Sequence, residues 1–336
     1  MPPRHLFPSI AAKWGAELTF SQLRTFVEVV RCGSITTASR RLLVSQAAVS
    51  SAIASLKSEL GVDLLVRDGR GTRVTTAGMV LYRYSQQMLG LLEETITATT
   101  AEADPRRSSL RIAAVTTAGE SLVPKWFRSY VKAAPEVEIK IEVSNRARVF
   151  ELLEQHHVDL VVAGSPPEGR GFFTIATRRH QLLLVAGSTS AIAGGKRRYT
   201  IDADTLERQT WLVKEEGSGT RASTEELLEH LAISPRMLTL GSNAAVKEAA
   251  LLGIGVALLS TDSVGLELDR RELVALEIPP LPIDKAWHVA ARRGSPLPDP
   301  AARFVEHLLS TGAAQVLAKA GPLPLEQISP GDVSAT

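Results

Sequence analysis

Near residue 110 the hydrophobic period of this chain changes, and no single layer of structure accommodates both halves. Before that point apolar residues recur at helical spacing, interrupted by one short hairpin pattern. After it, short apolar runs alternate with amphipathic helical stripes, the grammar of an α/β sheet. The chain therefore reads as an all-α N-terminal part joined to an α/β C-terminal part. Its 336 residues have room for two or three folding units.

The N-terminal pattern is densely punctuated. Thr19-Phe20-Ser21-Gln22 is a capping box that opens a helix with Leu23, Phe26, Val27 and Val30 on one face, and Gly33 stops it. Ser34 caps a second helix carrying Ile35, Ala38 and Leu42. A third begins at Ser45, places Val49, Ile53, Leu56 and Leu60 on one stripe, and ends at Gly61. A strand from Val62 to Arg67, the turn Asp68-Gly69-Arg70-Gly71 and a return strand from Thr72 to Thr75 then predict a hairpin with Arg70 at its tip.

The outward face of the third helix is small and polar. At 100° per residue, Ala47, Ser51, Ala54 and Ser58 point away from the apolar stripe, with Gln46 and Ser50 at its flank. Small side chains admit a helix deep into a major groove, where Gln pairs with adenine and Ser reaches base edges. A solvated Ala/Ser face without a partner fits the same composition. Residues 18–78 hold eight basic and four acidic side chains, whereas the whole chain nets only +2. A locally basic unit fits a polyanionic partner and fits a solvated basic face as well; an arginine at a hairpin tip can enter a narrow minor groove, and three helices followed by a basic hairpin make a sharper signal than any one element.

From Thr76 to about Thr100 runs one long helical pattern, with Leu81, Tyr84, Met88, Leu91 and Thr95 on a stripe widened by Leu92 and Ile96. Either a second copy or the helix's own domain covers that stripe. Asp104-Pro105-Arg106-Arg107-Ser108-Ser109 reads as a hinge. Beyond it, strands at Leu110–Val115, Val137–Val143 and Val158–Ala163 alternate with helices, and a second such set runs from Trp211 to Ser260. The expected sheet is mostly parallel. Ligands of such sheets sit at the carboxyl ends of strands, against helix N-termini. Val115-Thr116-Thr117-Ala118-Gly119 and Lys214-Glu215-Glu216-Gly217-Ser218-Gly219-Thr220-Arg221 both have that form, and Asn145 ends another strand. The candidate effector-binding residues are Thr116, Thr117, Asn145, Ser218, Gly219, Thr220 and Arg221, a set suited to a small anion.

Other chemistries find little support. Cys32 is the only cysteine, which excludes an internal disulfide and favours a packed thiol. His156 and His157 point about 100° apart on a helix, and Asp159 lies in the next strand, so no metal site is expected. Ser165 precedes two prolines rather than a sharp elbow, and no acid/base pair emerges; neither catalytic residues nor a cofactor is expected. No membrane span or export signal is read, which implies a cytoplasmic protein.

Gly33-Ser34-Ile35-Thr36 through Ala38 and Leu42, Ser45-Gln46-Ala47-Ala48-Val49-Ser50, Ile53, Leu56, Leu60-Gly61, Arg67 and Thr76-Ala77-Gly78 resemble the LysR-type transcriptional regulators. Lys57, Leu65 and Thr75 depart from that pattern in packing or surface charge. The resemblance implies a winged helix-turn-helix with base or groove contacts from Gln46, Ala47, Ser50 and Ser51. It also implies phosphate contact near Ser45 and Arg67 and wing contact from Arg70, with Arg73 counted among the DNA-binding residues.

The C-terminal part is similar to that family's two-lobe, periplasmic-binding-protein-like effector domain. The Glu-Gly-Ser-Gly-Thr-Arg run and Gly241-Ser242-Asn243-Ala244-Ala245-Val246-Lys247 are similar to its carbon-fixation operon subgroup, with Ala244 where an acidic residue is usual. The organisation implied is a flexible extension (1–17), a winged helix-turn-helix domain (18–76) and a linker or dimerisation helix (77–103). A hinge (104–109), an effector domain (110–313) and a flexible tail (314–336) complete it. Lobe I would comprise 110–184 and 287–313, lobe II 185–286. Implied partners are double-stranded DNA at a pseudo-palindromic operator, a small-molecule effector, and further copies forming a homodimer and homotetramer. RNA polymerase is left open as another partner. Two alternatives are a solute-binding protein and an enzyme on the two-lobe fold; a regulator accounts for both halves of the chain.

Overall fold

The structure is a computed structural model that describes residues 18–69, 71–103, 108–193, 198–311 and 316–319. The chain divides near residue 96 into two compact units. The expected extension 1–17, hinge residues 104–107 and Arg70 lie outside the described residues, as does most of the expected tail.

The first unit opens with α1 (Phe20–Cys32), α2 (Ile35–Leu42) and α3 (Gln46–Leu60). Their ends follow from local chemistry. Thr19 and Gln22 form the reciprocal capping box, Ser34 accepts from the Thr37 N–H, and Ser45 accepts from the Ala48 N–H at 3.1 Å. Gly33 (φ 60°) and Gly61 (φ 68°) close α1 and α3 in the left-handed region, where glycine carries no Cβ penalty. Phe26, Leu56 and Leu64 form one buried cluster, and Val29, Ala38 and Val49 a second. Leu60, expected on the buried stripe of α3, is exposed because it is the helix's last residue and lies beyond the core.

Strands β1 (Leu65–Asp68) and β2 (Gly71–Val74) pair antiparallel, Leu65 opposite Val74 and Arg67 opposite Thr72. The first strand begins three residues later than its apolar run predicts. Leu64 is instead buried with α1 and α3, and its carbonyl serves the next turn. The hairpin is tied to the end of α1 by Thr72 N–H donating to the Gly33 carbonyl at 2.9 Å. α4 (Thr76–Ala103) follows directly. At their junction Thr75 Oγ1 donates to the Asp63 carbonyl and accepts from the Gly78 N–H.

The second unit contains β3 (Ser109–Val115), α5 (Thr116–Ser121), α6 (Val123–Ala133), β4 (Glu138–Ser144), α7 (Arg146–Glu154), β5 (Leu160–Ala163) and the long β6 (Phe172–Gly187). Next come β7 (Arg198–Thr200), α8 (Ala203–Glu207), β8 (Trp211–Lys214), α9 (Gly219–Leu231), β9 (Met237–Leu240) and α10 (Asn243–Leu251). It ends with β10 (Ala257–Ser260), α11 (Thr261–Asp269), β11 (Leu273–Glu277), β12 (Ile283–Arg292), α12 (Asp299–Ser310) and β13 (Val316–Lys319). The strand β13 occupies part of the expected flexible tail; it pairs antiparallel with β6, opposite Ala176 to Arg178.

The main sheet runs β4-β3-β5-β12-β6-β11-β7, with β10 also on β6. It is mixed rather than mostly parallel. β3 is parallel to β4 and β5, but β6 and β12 cross between the lobes and pair antiparallel to each other, Ile283 opposite Leu182 through Arg292 opposite Phe172. A strand that leaves one lobe and a strand that returns to it must run in opposite senses. The expected lobe boundaries at 184/185 and 286/287 fall inside these two strands.

Alternation along the strands explains why each lobe has helices on both faces. Leu110, Ile112 and Ala114 of β3 join one core with Trp126, Tyr130 and Phe304, while Ala113 faces the opposite core with Val149, Phe150 and Leu153. In the second lobe, Leu182, Leu184 and Ala186 pack with Trp211 and Leu227, and Val185 with Val246 and Val264. With both faces covered, the carboxyl ends of the strands are where backbone and side chains remain open.

Candidate functional site

Two surfaces carry the chemistry, one in each unit. On α3 the side chains of Gln46, Ala47, Ser50 and Ser51 are all exposed, while Val49 is fully buried on the opposite side. Ser45 both caps the helix and marks its open N-terminus, where the first N–H groups and the positive dipole end suit a phosphate. Arg67 and Arg73 are exposed on the hairpin; Arg73 lies 3.8 Å from Asp68, a loose pairing at the surface. Cys32 is half-buried beside this core, its thiol donating to Glu28 at 3.2 Å. Burial, and then the Glu28 carboxylate, push its pKa above the usual thiol value, so it persists as a thiol.

In the second unit a cavity of about 340 Å³ opens between the lobes at the carboxyl ends of the strands. Lobe I contributes Thr116 and Thr117 after β3, Asn145 and Arg146 after β4, and Ser165 after β5. Lobe II contributes Lys214 at the end of β8 and the turn Gly217 to Thr220 that starts α9. The crossing strands supply His180, Lys285, Trp287 and His288. Of the expected set, Thr116, Thr117, Asn145, Ser218, Gly219 and Thr220 therefore meet around one space. Arg221 does not: two residues past Gly219 the helix has turned about 200°. Its guanidinium donates instead to the Lys214 carbonyl at 3.1 Å and to Glu225 at 2.8 Å, bracing the turn from behind.

Electrostatics favour an anion in this space. Arg146, Lys214 and Lys285 line it against one carboxylate, Glu215. The Lys214 side chain is only 3% exposed and its ammonium is 3.4 Å from Oε1 of the partly exposed Glu215 side chain, so a buried cation has spare donors toward the cavity. Ser218 makes no side-chain cap hydrogen bond to α9, which leaves that hydroxyl and the first N–H groups of the helix available. Asn145, by contrast, spends its carbonyl oxygen on the Arg148 N–H at 2.9 Å.

The crossing strands beside the cavity are tied together by stacking and hydrogen bonds. His180 stacks on Trp287 with centroids 4.2 Å apart and planes 7° from parallel, and its Nδ1 is 3.1 Å from Ser260 Oγ. Burial pushes the His180 pKa down to about 4, so its imidazole is neutral at physiological pH. Asp262, at the start of α11, accepts from Arg178 at 2.6 Å and from Trp287 Nε1 at 2.8 Å. Burial alone would raise its pKa, but the hydrogen bonds from Arg178 and Trp287 outweigh it and hold the carboxyl below its usual value. This network pins α11 to both crossing strands. The residues that sequence reasoning missed come mostly from those strands. Charged or imidazole side chains inside otherwise buried strands, as in Trp211-Leu212-Val213-Lys214, are the signal that marks them.

An exposed groove-reading helix beside a basic hairpin, with a separate ligand cavity, defines a DNA-binding regulator that carries a small-molecule sensor. Residues 20–79 match the model of the bacterial regulatory helix-turn-helix protein, lysR family, and residues 103–313 match the LysR substrate binding domain. The chain belongs to the LysR family of transcriptional regulators. It is 31% identical to the HTH-type transcriptional regulator CfxR of Cupriavidus necator, over 81% of this chain and 85% of that protein. It is likewise 31% identical to the RuBisCO operon transcriptional regulator of Allochromatium vinosum, over 88% and 97%. Among solved structures, the Synechocystis CcmR regulatory domain in complex with 2-PG is similar. That similarity has a TM-score of 0.55 and 28% identity over 61% of this chain and 97% of that one. These relatives are regulators, and the chain is a regulator rather than an enzyme. No helix among the described residues is long and apolar enough to cross a membrane.

Proposed function

We propose that this regulator reads a pseudo-palindromic operator through Gln46, Ala47, Ser50 and Ser51, with Ser45, Arg67, Arg70 and Arg73 on the phosphates and the minor groove. A small polyanion held in the cavity between the lobes sets its operator affinity. One observation carries the ligand class: three cations, one of them a buried lysine with spare donors, face a single carboxylate beside an uncapped helix start. A cavity of about 340 Å³ suits a compact metabolite. The CcmR domain, whose structure contains 2-PG, lends support as a relative. Within the cavity Lys214 and the α9 turn take the charged head, and Thr116 and Thr117 approach from the other lobe. The ligand favours the lobe arrangement in which both sides reach it, and so shifts the population of DNA-competent states.

Tyr84, Met88 and Leu91 of α4 are exposed on one stripe, which supports pairing of two chains through that helix. A two-fold pair carries two recognition helices suited to half-sites about one turn of DNA apart, and pairs of pairs give the tetramer. The protein acts in the cytoplasm, where its operator is.

The test is a thermal-shift screen of 2-PG, phosphorylated sugars, di- and tricarboxylates, sulfate and inorganic phosphate on the native chain and on Lys214→Ala and Thr220→Ala. A polyanion that stabilises the native chain and shifts neither variant comparably supports the reading. Stabilisation by neutral compounds alone, or an undiminished shift in Lys214→Ala, overturns it.

A further inference from the structure

Asn243 begins α10 in lobe II, capped by Ser242. Its side-chain Nδ2 donates to Thr117 Oγ1 across the lobes at 2.8 Å. Both residues are buried, Asn243 4% and Thr117 8% exposed. Thr117 lines the cavity, whereas Asn243 is not among its lining residues. The hydroxyl of a threonine has one proton to give and accepts through its lone pairs. Because Asn243 occupies it as an acceptor, the Thr117 hydroxyl keeps its proton free for another acceptor, and the residue lies on the cavity wall. The other half of the Asn243 amide, Oδ1, is buried with no partner.

We propose that Asn243 is a positioning residue for effector recognition: from lobe II it sets the lobe I hydroxyl of Thr117 as a hydrogen-bond donor into the cavity. The inference rests on the anion reading above and adds the coupling element. An acceptor oxygen in the cavity takes the Thr117 proton, polarises the hydroxyl and strengthens its bond from Asn243. Ligand charge on one lobe is thereby converted into adhesion between two. Thr117 selects for acceptors at that point, and a ligand presenting only a donor there loses the bond.

The experiment is titration calorimetry of inorganic phosphate into the full chain and into Thr117→Val, Asn243→Ala, the double variant and Asn243→Asp, with melting curves for each. Thr117→Val and Asn243→Ala should each weaken binding by roughly three- to tenfold, the range of one hydrogen bond. The double variant should be no weaker than the weaker single one, since both break the same link. Asn243→Asp should bind at least as poorly as Asn243→Ala. An aspartate only accepts, turns the Thr117 proton away from the cavity and adds a repelling charge. A merely structural asparagine would lower the melting temperature and leave phosphate affinity intact, which overturns the proposal. Additive losses, or native affinity in Asn243→Asp, overturn it equally. If Lys214→Ala loses phosphate binding while Asn243→Ala keeps it, this inference alone fails. If the native chain and Lys214→Ala are indistinguishable, the anion reading fails and this inference with it.

Discussion

Gly78→Ala in α4 sets two physical rules against each other, and they predict opposite signs. Position 78 lies in the first turn of a long helix, where alanine is the better helix former by about 0.5–1 kcal/mol. Packing says otherwise. A Cβ on Gly78 would stand 2.0 Å from the Leu64 carbonyl oxygen, 2.9 Å from its carbon and 2.8 Å from Val74 Cγ2. Ordinary contact requires more than 3 Å, so the helix start and the Leu64 backbone must part by about an ångström. That carbonyl accepts from the Thr75 N–H at 3.0 Å, and Thr75 Oγ1 accepts from the Gly78 N–H at 2.9 Å. Separation strains both, each worth about 1 kcal/mol, on top of about 1–3 kcal/mol for overpacking. The helix gain offsets only part of this, leaving a net loss of about 2–4 kcal/mol in the DNA-binding unit. Urea unfolding followed by the far-ultraviolet signal, with gel-shift titration alongside, measures it. A loss of that size with retained anion binding is expected. Equal or higher stability of the first unit would show that the backbone yields freely and that the close approach of hairpin and linker helix is not a constraint.

Three further outcomes follow from the same structure. Ser50→Glu puts a carboxylate on the exposed face of α3, so operator binding in a gel shift should fall at least a hundredfold with the dimer intact; undiminished retention would count against groove insertion. Asp262→Asn leaves Arg178 without its carboxylate in a side chain only 17% exposed, and should destabilise the second unit by about 3 kcal/mol in chemical unfolding. A change under about 1 kcal/mol would mean solvent reaches the pair. His180 predicts a pH dependence. Its folded pKa, pushed down by burial to about 4, lies below the unfolded value near 6.5, so the unfolded chain takes up a proton first. Its contribution is fully present above pH 6.5 and declines through that window, by on the order of 3 kcal/mol at about pH 4. His180→Gln should flatten this part of the stability curve. The Asp262 contribution, from a carboxyl held low, is lost only at more acidic pH.

Much of the first unit was legible in its residues because its signals are local. Thr19, Ser34 and Ser45 cap helices, Gly33 and Gly61 end them, and the spacing of Phe26, Val49 and Leu56 selects the buried face. A cap is decided within four residues and a stripe within four turns, so the chain need not be folded in thought to read them. Small details escaped for the same reason: Leu60 is exposed and the strand starts only after Leu64, because burial at an element's end depends on what packs beside it.

The second unit divides differently. Its α/β alternation and the strand-to-helix turns at Thr116 and Ser218 were set down in one dimension, since apolar period and turn residues specify them without reference to partners; the two lobes were implied by the family resemblance. Which residues face one another was decided by the crossing of β6 and β12. That crossing brings His180, Lys285 and Trp287 to a space walled by Lys214 and Thr117, while the turn of α9 carries Arg221 away from it. Spacing along a strand determines only a side of the sheet. A hydrogen bond between residues more than a hundred positions apart, such as Thr117 and Asn243, exists only once the antiparallel return has closed the lobes together.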